Sequence, residues 1–130
     1  MDPNGHRVLL VEDEALVARS LMMVLRPFDP IHVSDVAAVT PALATLAPVA
    51  CVISDLGIPG GGGEAVWDAV EEHRPDLVSR FRVLTGGGSS ENRYARFLND
   101  KKPMILYKPV DPSELRALVK KWLEDDSEPS

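Results

Sequence analysis

Short apolar runs alternate with segments of helical periodicity along the whole chain, and this alternation constrains the fold most. Five runs have the length and composition of buried strands: residues 8–11, 31–33, 49–55, 81–84 and 104–107. A segment with apolar residues at helical spacing follows each run. Repeated β–α units build a parallel sheet with helices on both faces. The sequence therefore predicts an α/β domain.

Breakers and capping residues delimit five predicted helices, at residues 14–26, 35–47, 64–73, 90–98 and 112–123. Pro27 ends the first. Asp35 or Ser34 is expected to cap the second, and Asp111 the last, with Pro112 at its first helical position. The glycine-rich stretches 57–63 and 86–90 are expected to be flexible loops. The predicted inward stripe of the first helix is Leu16, Val17, Leu21, Val24 and Leu25.

The length, charge and cysteine content of the chain limit the classes of protein to which it can belong. A chain of 130 residues is one domain, and its formal net charge of −6 is unlike a nucleic-acid footprint. No apolar stretch is long enough to span a bilayer, residues 1–6 have no signal-peptide pattern, and the single cysteine, Cys51, excludes a disulfide framework. We therefore expect a cytoplasmic domain at 7–123 that binds neither nucleic acid nor membrane, between a short tail at 1–6 and an acidic tail at 124–130.

Polar side chains occupy the carboxyl ends of four predicted strands. Glu12 and Asp13 follow the first, Asp55 ends the third, Thr85 follows the fourth and Lys108 follows the fifth. Because the carboxyl ends of parallel strands share one edge, these groups should converge there. Crowded carboxylates need a cation, and hard oxygen ligands suit Mg²⁺. The pattern predicts a pocket for a divalent metal and a phosphoryl group.

Each of these residues also has a simpler interpretation. An acid at a helix start, such as Glu14, complements the helix dipole, a threonine after a strand is often turn chemistry, and a single lysine is usually solvated. The combination favours phosphoryl transfer, in which the Asp55 carboxylate attacks phosphorus and Lys108 balances charge on the phosphoryl oxygens.

Four segments resemble the receiver domains of bacterial two-component response regulators, including those attached to hybrid histidine kinases. They are residues 8–14, 52–59, 84–86 and 107–109, with 42 residues from Asp13 to Asp55, 30 more to Thr85 and 23 more to Lys108. The resemblance implies a flavodoxin-like three-layer sandwich whose five parallel strands have the order 2-1-3-4-5.

The resemblance also implies residue roles. Asp55 would be the phospho-acceptor, and Glu12, Asp13, Asp55 and the Gly57 carbonyl would hold Mg²⁺. Thr85 and Lys108 would contact the phosphoryl oxygens, and a cis peptide before Pro109 would orient Lys108.

Two positions depart from the receiver pattern. Ile105 stands where many receivers carry an aromatic switch residue, while Tyr107, beside the lysine, is expected to pack inward. Glu12 replaces the commoner aspartate. Trp67 and Trp122 are predicted core residues, and the three histidines, His6, His32 and His73, are predicted to be surface or filler residues.

The leading functional hypothesis is phosphorelay. A histidine kinase, separate or in the same polypeptide, would phosphorylate Asp55, and the domain, which catalyses only its own phosphorylation and dephosphorylation, would then switch binding to an unidentified downstream protein. A haloacid-dehalogenase-type phosphatase is a second hypothesis, but that class needs an acid two residues after the nucleophile, where this chain has Gly57. A third is an adaptor that uses the receiver fold without phosphorylation.

Overall fold

Five strands and six α-helices follow one another along the chain in this computed structural model, which describes residues 7–44 and 49–126. The strands are β1 (Arg7–Val11), β2 (Pro30–Val33), β3 (Val49–Asp55), β4 (Phe81–Thr85) and β5 (Met104–Tyr107). The helices are α1 (Ala15–Leu25), α2 (Val39–Leu43), α3 (Gly62–His73), α4 (Ser89–Arg93), α5 (Ala95–Lys101) and α6 (Pro112–Asp126).

All five strands form one parallel sheet in the order β2-β1-β3-β4-β5. The inner strands β1 and β3 are almost wholly buried, whereas the edge strands β2 and β5 are only partly covered. The predicted sheet and strand order are confirmed. All five strands point the same way, so their carboxyl ends lie along one edge.

Two apolar cores lie on opposite faces of the sheet, because successive side chains of a strand point to opposite sides. Leu9 and Val11 belong to the core beneath α2, α3 and α5, while Val8 and Leu10 belong to the core beneath α1 and α6. Each core holds one tryptophan. Trp67 packs edge-to-face on two phenylalanine rings at centroid distances of 5.2 and 5.9 Å, and Trp122 is equally buried. The predicted core role of both tryptophans is confirmed.

The predicted caps are present, but two helices differ from prediction. Asp35 Oδ1 accepts from the Ala38 amide at 3.1 Å, and Asp111 Oδ2 accepts from the Glu114 amide at 3.1 Å. The helix predicted at 35–47 begins as a 3-10 turn before α2, and its last residues lie outside the described ranges. The helix predicted at 90–98 is instead two short helices, α4 and α5, which meet at Tyr94.

Two residues that were predicted to pack inward, Leu16 of the apolar stripe and Tyr107, are exposed instead. Leu16 is 76% exposed because it lies on the face of α1 opposite its buried residues, which are Ala18, Leu21 and Leu25. Tyr107 is 61% exposed because β5 is an edge strand. His32 and His73 are exposed as expected, and His6 lies outside the described residues. Cys51 is buried, and burial raises the pKa of its thiol to about 12, so it is the expected inert core residue.

Tyr94, the residue between α4 and α5, packs against Gly62. Gly62, the first residue of α3, has φ +75°, and a Cβ atom at this position would overlap the Tyr94 ring. The ring is half-buried and packs against the core that contains Trp67. Tyr94 therefore fixes the α4–α5 junction against the start of α3.

We expect Gly62→Ala to lower the free energy of unfolding by about 1–3 kcal/mol, because the new side chain meets both a left-handed backbone and the Tyr94 ring. Gly86→Ala is the matched control, since a Cβ at Gly86 meets no atom within 4 Å. Urea denaturation of both variants measures the difference. Equal free energies of unfolding for the two variants would show that the Tyr94 ring does not pack against Gly62 in solution.

Candidate metal and phosphoryl site

A lysine lies between two carboxylates at the carboxyl edge of the sheet. The Lys108 Nζ atom is 3.0 Å from Glu12 Oε1 and 3.1 Å from Asp55 Oδ1. The three residues come from the ends of β1, β3 and β5, which the parallel topology brings to the same edge. The structure thus joins three of the residues predicted to form the site.

The backbone fixes the position of Lys108. Its amide donates to the Thr85 carbonyl at 2.9 Å, which continues the pairing of β4 with β5 for one more residue. The Lys108–Pro109 peptide bond is cis, as the receiver resemblance implied. The side chain is half-buried and reaches from the sheet edge across β4 to Asp55.

Glu12 is the buried member of the group. Its side chain is fully covered, and its Oε2 atom accepts from the Glu14 amide at 3.1 Å. Burial raises the pKa of this carboxyl, against the lowering effect of the Lys108 ammonium. For Lys108, burial acts to lower the pKa, but the hydrogen bonds to Glu12 and Asp55 outweigh it and raise the pKa. The pocket therefore favours a cation beside the two acids.

Three carboxylates could share a metal ion. Glu12, Asp13 and Asp55 each offer one oxygen, and these oxygens lie within 4.8 Å of one another. Asp13 is exposed and Asp55 is half-buried, so the group faces water on one side. Hard oxygen donors with room for water fit Mg²⁺, which retains several waters when bound. Gly57, the fourth predicted ligand, is exposed and lies two residues after Asp55.

Thr85 is buried at the end of β4, and its hydroxyl already has partners. Thr85 Oγ1 accepts from the Gly87 amide at 3.0 Å and donates to Glu91 Oε2 at 3.4 Å. Sequence reasoning missed Glu91, because a single acid in the first turn of a short helix belongs to no motif. Its only sequence signal is its position six residues after Thr85.

The glycine-rich segment after β3 contains backbone hydrogen bonds, and its last two residues, Gly62 and Gly63, belong to α3 rather than to the predicted loop. Gly62 N donates to the Ile58 carbonyl at 2.9 Å, and Gly63 N donates to the Leu56 carbonyl at 2.8 Å. A Cβ at Gly63 would lie 3.2 Å from the Asp55 carbonyl oxygen. Glycine therefore lets α3 begin directly against the strand end that carries Asp55, two residues earlier than predicted.

Solved structures with this fold include receiver domains. A putative response regulator from Chloroflexus aurantiacus J-10-fl is 26% identical, covers 92% of this chain and 98% of its own, and has a TM-score of 0.73. A beryllofluoride-activated NtrC4 receiver domain dimer is 25% identical, with 93% and 98% covered and a TM-score of 0.71. The signal receiver domain of an HD domain-containing protein from Pseudomonas fluorescens Pf-5 is 24% identical, with 92% and 87% covered and a TM-score of 0.76.

Fold and neighbours together define the class. The resemblance to response regulator receiver domains is confirmed, and the chain has their flavodoxin-like fold. A signal receiver of the two-component kind is the broad function that these neighbours support. No family model and no curated protein matches the chain. Across the described residues, none of the helices is both long enough and apolar enough to traverse a bilayer.

The pH dependence of stability should report the buried Glu12. Since its pKa is raised in the folded protein, the folded state holds this proton more tightly than the unfolded state does. The stability of the wild type relative to Glu12→Gln should therefore fall as the pH rises from 4.5, the ordinary value, through the raised pKa. Urea unfolding in EDTA across this range measures the difference. A difference that stays constant or grows with pH would contradict the burial argument.

Proposed function

We propose that this domain accepts a phosphoryl group on Asp55 from a phosphohistidine of a histidine kinase. The observation that carries the proposal is the Lys108 ammonium held between Glu12 and Asp55 at the carboxyl edge of the sheet. It pairs a carboxylate nucleophile with a positive charge, and phosphoryl transfer depends mainly on such positioning and charge balance.

The transfer exchanges one bond for another. An Asp55 carboxylate oxygen attacks phosphorus, the P–N bond to the donor imidazole breaks, and the imidazole leaves with the electron pair and takes up a proton. The product is an acyl phosphate on Asp55. Mg²⁺, when held by Glu12, Asp13, Asp55 and the Gly57 carbonyl, supplies positive charge against the phosphoryl oxygens.

Lys108 and Thr85 have different tasks in this reaction. The Lys108 ammonium is 3.1 Å from Asp55 Oδ1 and can follow the new negative charge onto a phosphoryl oxygen. The Thr85 hydroxyl donates to another phosphoryl oxygen once it is released from its contacts at the start of α4. A phospho-residue adds about −1.5 to −2 charges, so both groups are drawn inward.

The inward movement connects the site to a partner surface. Thr85 is tied to the glycine turn at 86–88, which leads into α4, and Lys108 continues the edge strand β5. We propose that α4, α5, β5 and α6 form the face whose change is read by a downstream protein. Ile105 occupies the position of the usual aromatic switch residue, so the signal must travel without that ring.

Two alternative functions are less well supported. A haloacid-dehalogenase-type phosphatase needs a general acid–base group two residues after its nucleophile, where this chain has an exposed glycine, Gly57. An adaptor that is independent of phosphorylation has no need of a lysine placed between two acids. The proposed role is thus a phosphorylated signalling switch rather than an enzyme that turns over a separate substrate. Its cytoplasmic location, and a kinase in the same or another polypeptide, remain predictions.

Asp55→Asn should abolish phosphoryl acceptance, because the amide nitrogen and oxygen are poor nucleophiles. Labelled phosphate from a phosphoramidate donor with Mg²⁺ measures the transfer, with Asp68→Asn, an exposed aspartate of α3, as the control. The label should reach the wild type and the control, and should disappear when EDTA is added. Undiminished labelling of Asp55→Asn would refute the proposal.

Lys108→Met should have opposite effects on metal binding and on phosphorylation. It removes the cation that competes with Mg²⁺ for Glu12 and Asp55, so calorimetry should show tighter Mg²⁺ binding by several-fold. The rate of labelling should fall by at least about tenfold, since a charge-assisted hydrogen bond contributes about 1.5–3 kcal/mol. Lys101→Met, which removes an exposed lysine paired with Glu71, should change neither quantity. Weaker Mg²⁺ binding by Lys108→Met would contradict the competition.

A further inference from the structure

The Thr85 hydroxyl already has two polar partners in this structure. It accepts a hydrogen bond from the Gly87 amide at 3.0 Å, and it makes a longer contact of 3.4 Å with Glu91 Oε2, to which it can donate. A hydroxyl has one proton to donate. While that proton is shared with Glu91, it is not available to a phosphoryl oxygen on Asp55.

The Glu91 carboxylate lies over the glycine turn that follows β4. Gly87 has φ +85°, and a Cβ atom there would lie 3.5 Å from Glu91 Oε2, which is an ordinary contact distance, so the turn brings the carboxylate close without requiring a bare position. The Glu91 side chain is half-buried and belongs to the first turn of α4. The Glu91 amide also donates to the Gly88 carbonyl at 3.1 Å, which ties the residue to the same glycine turn.

The far end of α4 is held as well. The helix has only five residues, Ser89–Arg93, and is followed by Tyr94, whose ring lies against Gly62. The Leu98 amide donates to the Tyr94 carbonyl at 3.0 Å, which begins α5. Helix α4 therefore lies between one fixed contact at Tyr94 and one polar contact at Thr85, and only the polar contact lies beside the proposed phosphorylation site.

We propose that Glu91 is a positioning residue that restrains the Thr85 hydroxyl in the unphosphorylated protein. The inference rests on the proposed function. An acyl phosphate on Asp55 brings anionic oxygens that compete for the Thr85 proton and repel the Glu91 carboxylate. Thr85 turns to the phosphoryl group, Glu91 is released, and the first turn of α4 changes position. Glu91 thus sets how readily the domain adopts its activated conformation.

Beryllofluoride with Mg²⁺, a phosphoryl mimic, separates this effect from the transfer chemistry. Glu91→Ala should bind beryllofluoride about two- to tenfold more tightly than the wild type, because the competing hydrogen bond is absent. Glu91→Gln retains an acceptor without the charge, so its affinity should lie between the two. Glu114→Ala, which removes an exposed acid from the first turn of α6, controls for the loss of a charge and should bind like the wild type.

A second background tests whether Glu91 acts through Thr85. In Thr85→Ala, the further change Glu91→Ala should give no gain in beryllofluoride affinity, because no hydroxyl remains to be released. An equal gain in both backgrounds would assign the effect to general electrostatics and would overturn the inference. Unchanged or weaker binding by Glu91→Ala, with normal binding by the wild type, would overturn it while leaving the proposed function intact.

The contact can also be observed in the free protein. The ¹³C shift of the Thr85 methyl group should differ between the wild type and Glu91→Gln, and the Glu114→Ala control should leave it unchanged. The same methyl shift in the wild type and in Glu91→Gln would refute the contact. If the methyl shift changes as expected but the wild type fails to bind beryllofluoride, the proposed function fails and the positioning role falls with it.

Discussion

The ion pairs of Lys108 with Glu12 and Asp55 are the interaction on which the rest of the site depends. A carboxylate as deeply buried as Glu12 is costly unless a cation lies beside it, and the Lys108 ammonium at 3.0 Å provides one. The same ammonium contacts Asp55 at 3.1 Å. One lysine therefore balances the charge of the buried acid and also lies next to Asp55, the proposed nucleophile. Any other cation at these acids must compete with it or share the acids with it.

The sheet makes this pairing possible. Glu12 follows β1, Asp55 ends β3 and Lys108 follows β5, so residues almost a hundred positions apart along the chain meet only because all five strands run in parallel. Apolar packing on both faces holds the strands in register, and α3 begins against β3 because Gly63 has no side chain to meet the Asp55 carbonyl. The geometry of the site is thus a consequence of the fold.

The sequence predicted the fold, and the convergence of most of the candidate site residues, for identifiable reasons. Strands β3 and β5 were predicted to the residue, because each is a continuous apolar run that ends at a polar residue and a breaker. Glu12, Asp13 and Asp55 were predicted to converge because parallel strands share a carboxyl edge, and their oxygens do lie together. Tyr107 was misplaced because a sequence pattern does not show that β5 is an edge strand with one uncovered side.

What the sequence could not show depends on tertiary contacts of small residues. The junction of α4 and α5 depends on the packing of the Tyr94 ring against Gly62, and these residues are thirty-two positions apart. The approach of Glu91 to Thr85 follows from the glycine turn between them, in which Gly87 and Gly88 have positive φ. Both features lie on the proposed path from Asp55 to α4. With Ile105 in place of an aromatic ring, this path offers a link between the strand ends and the helices through Glu91 and Tyr94, whose contacts depend on glycines rather than on a recognisable motif.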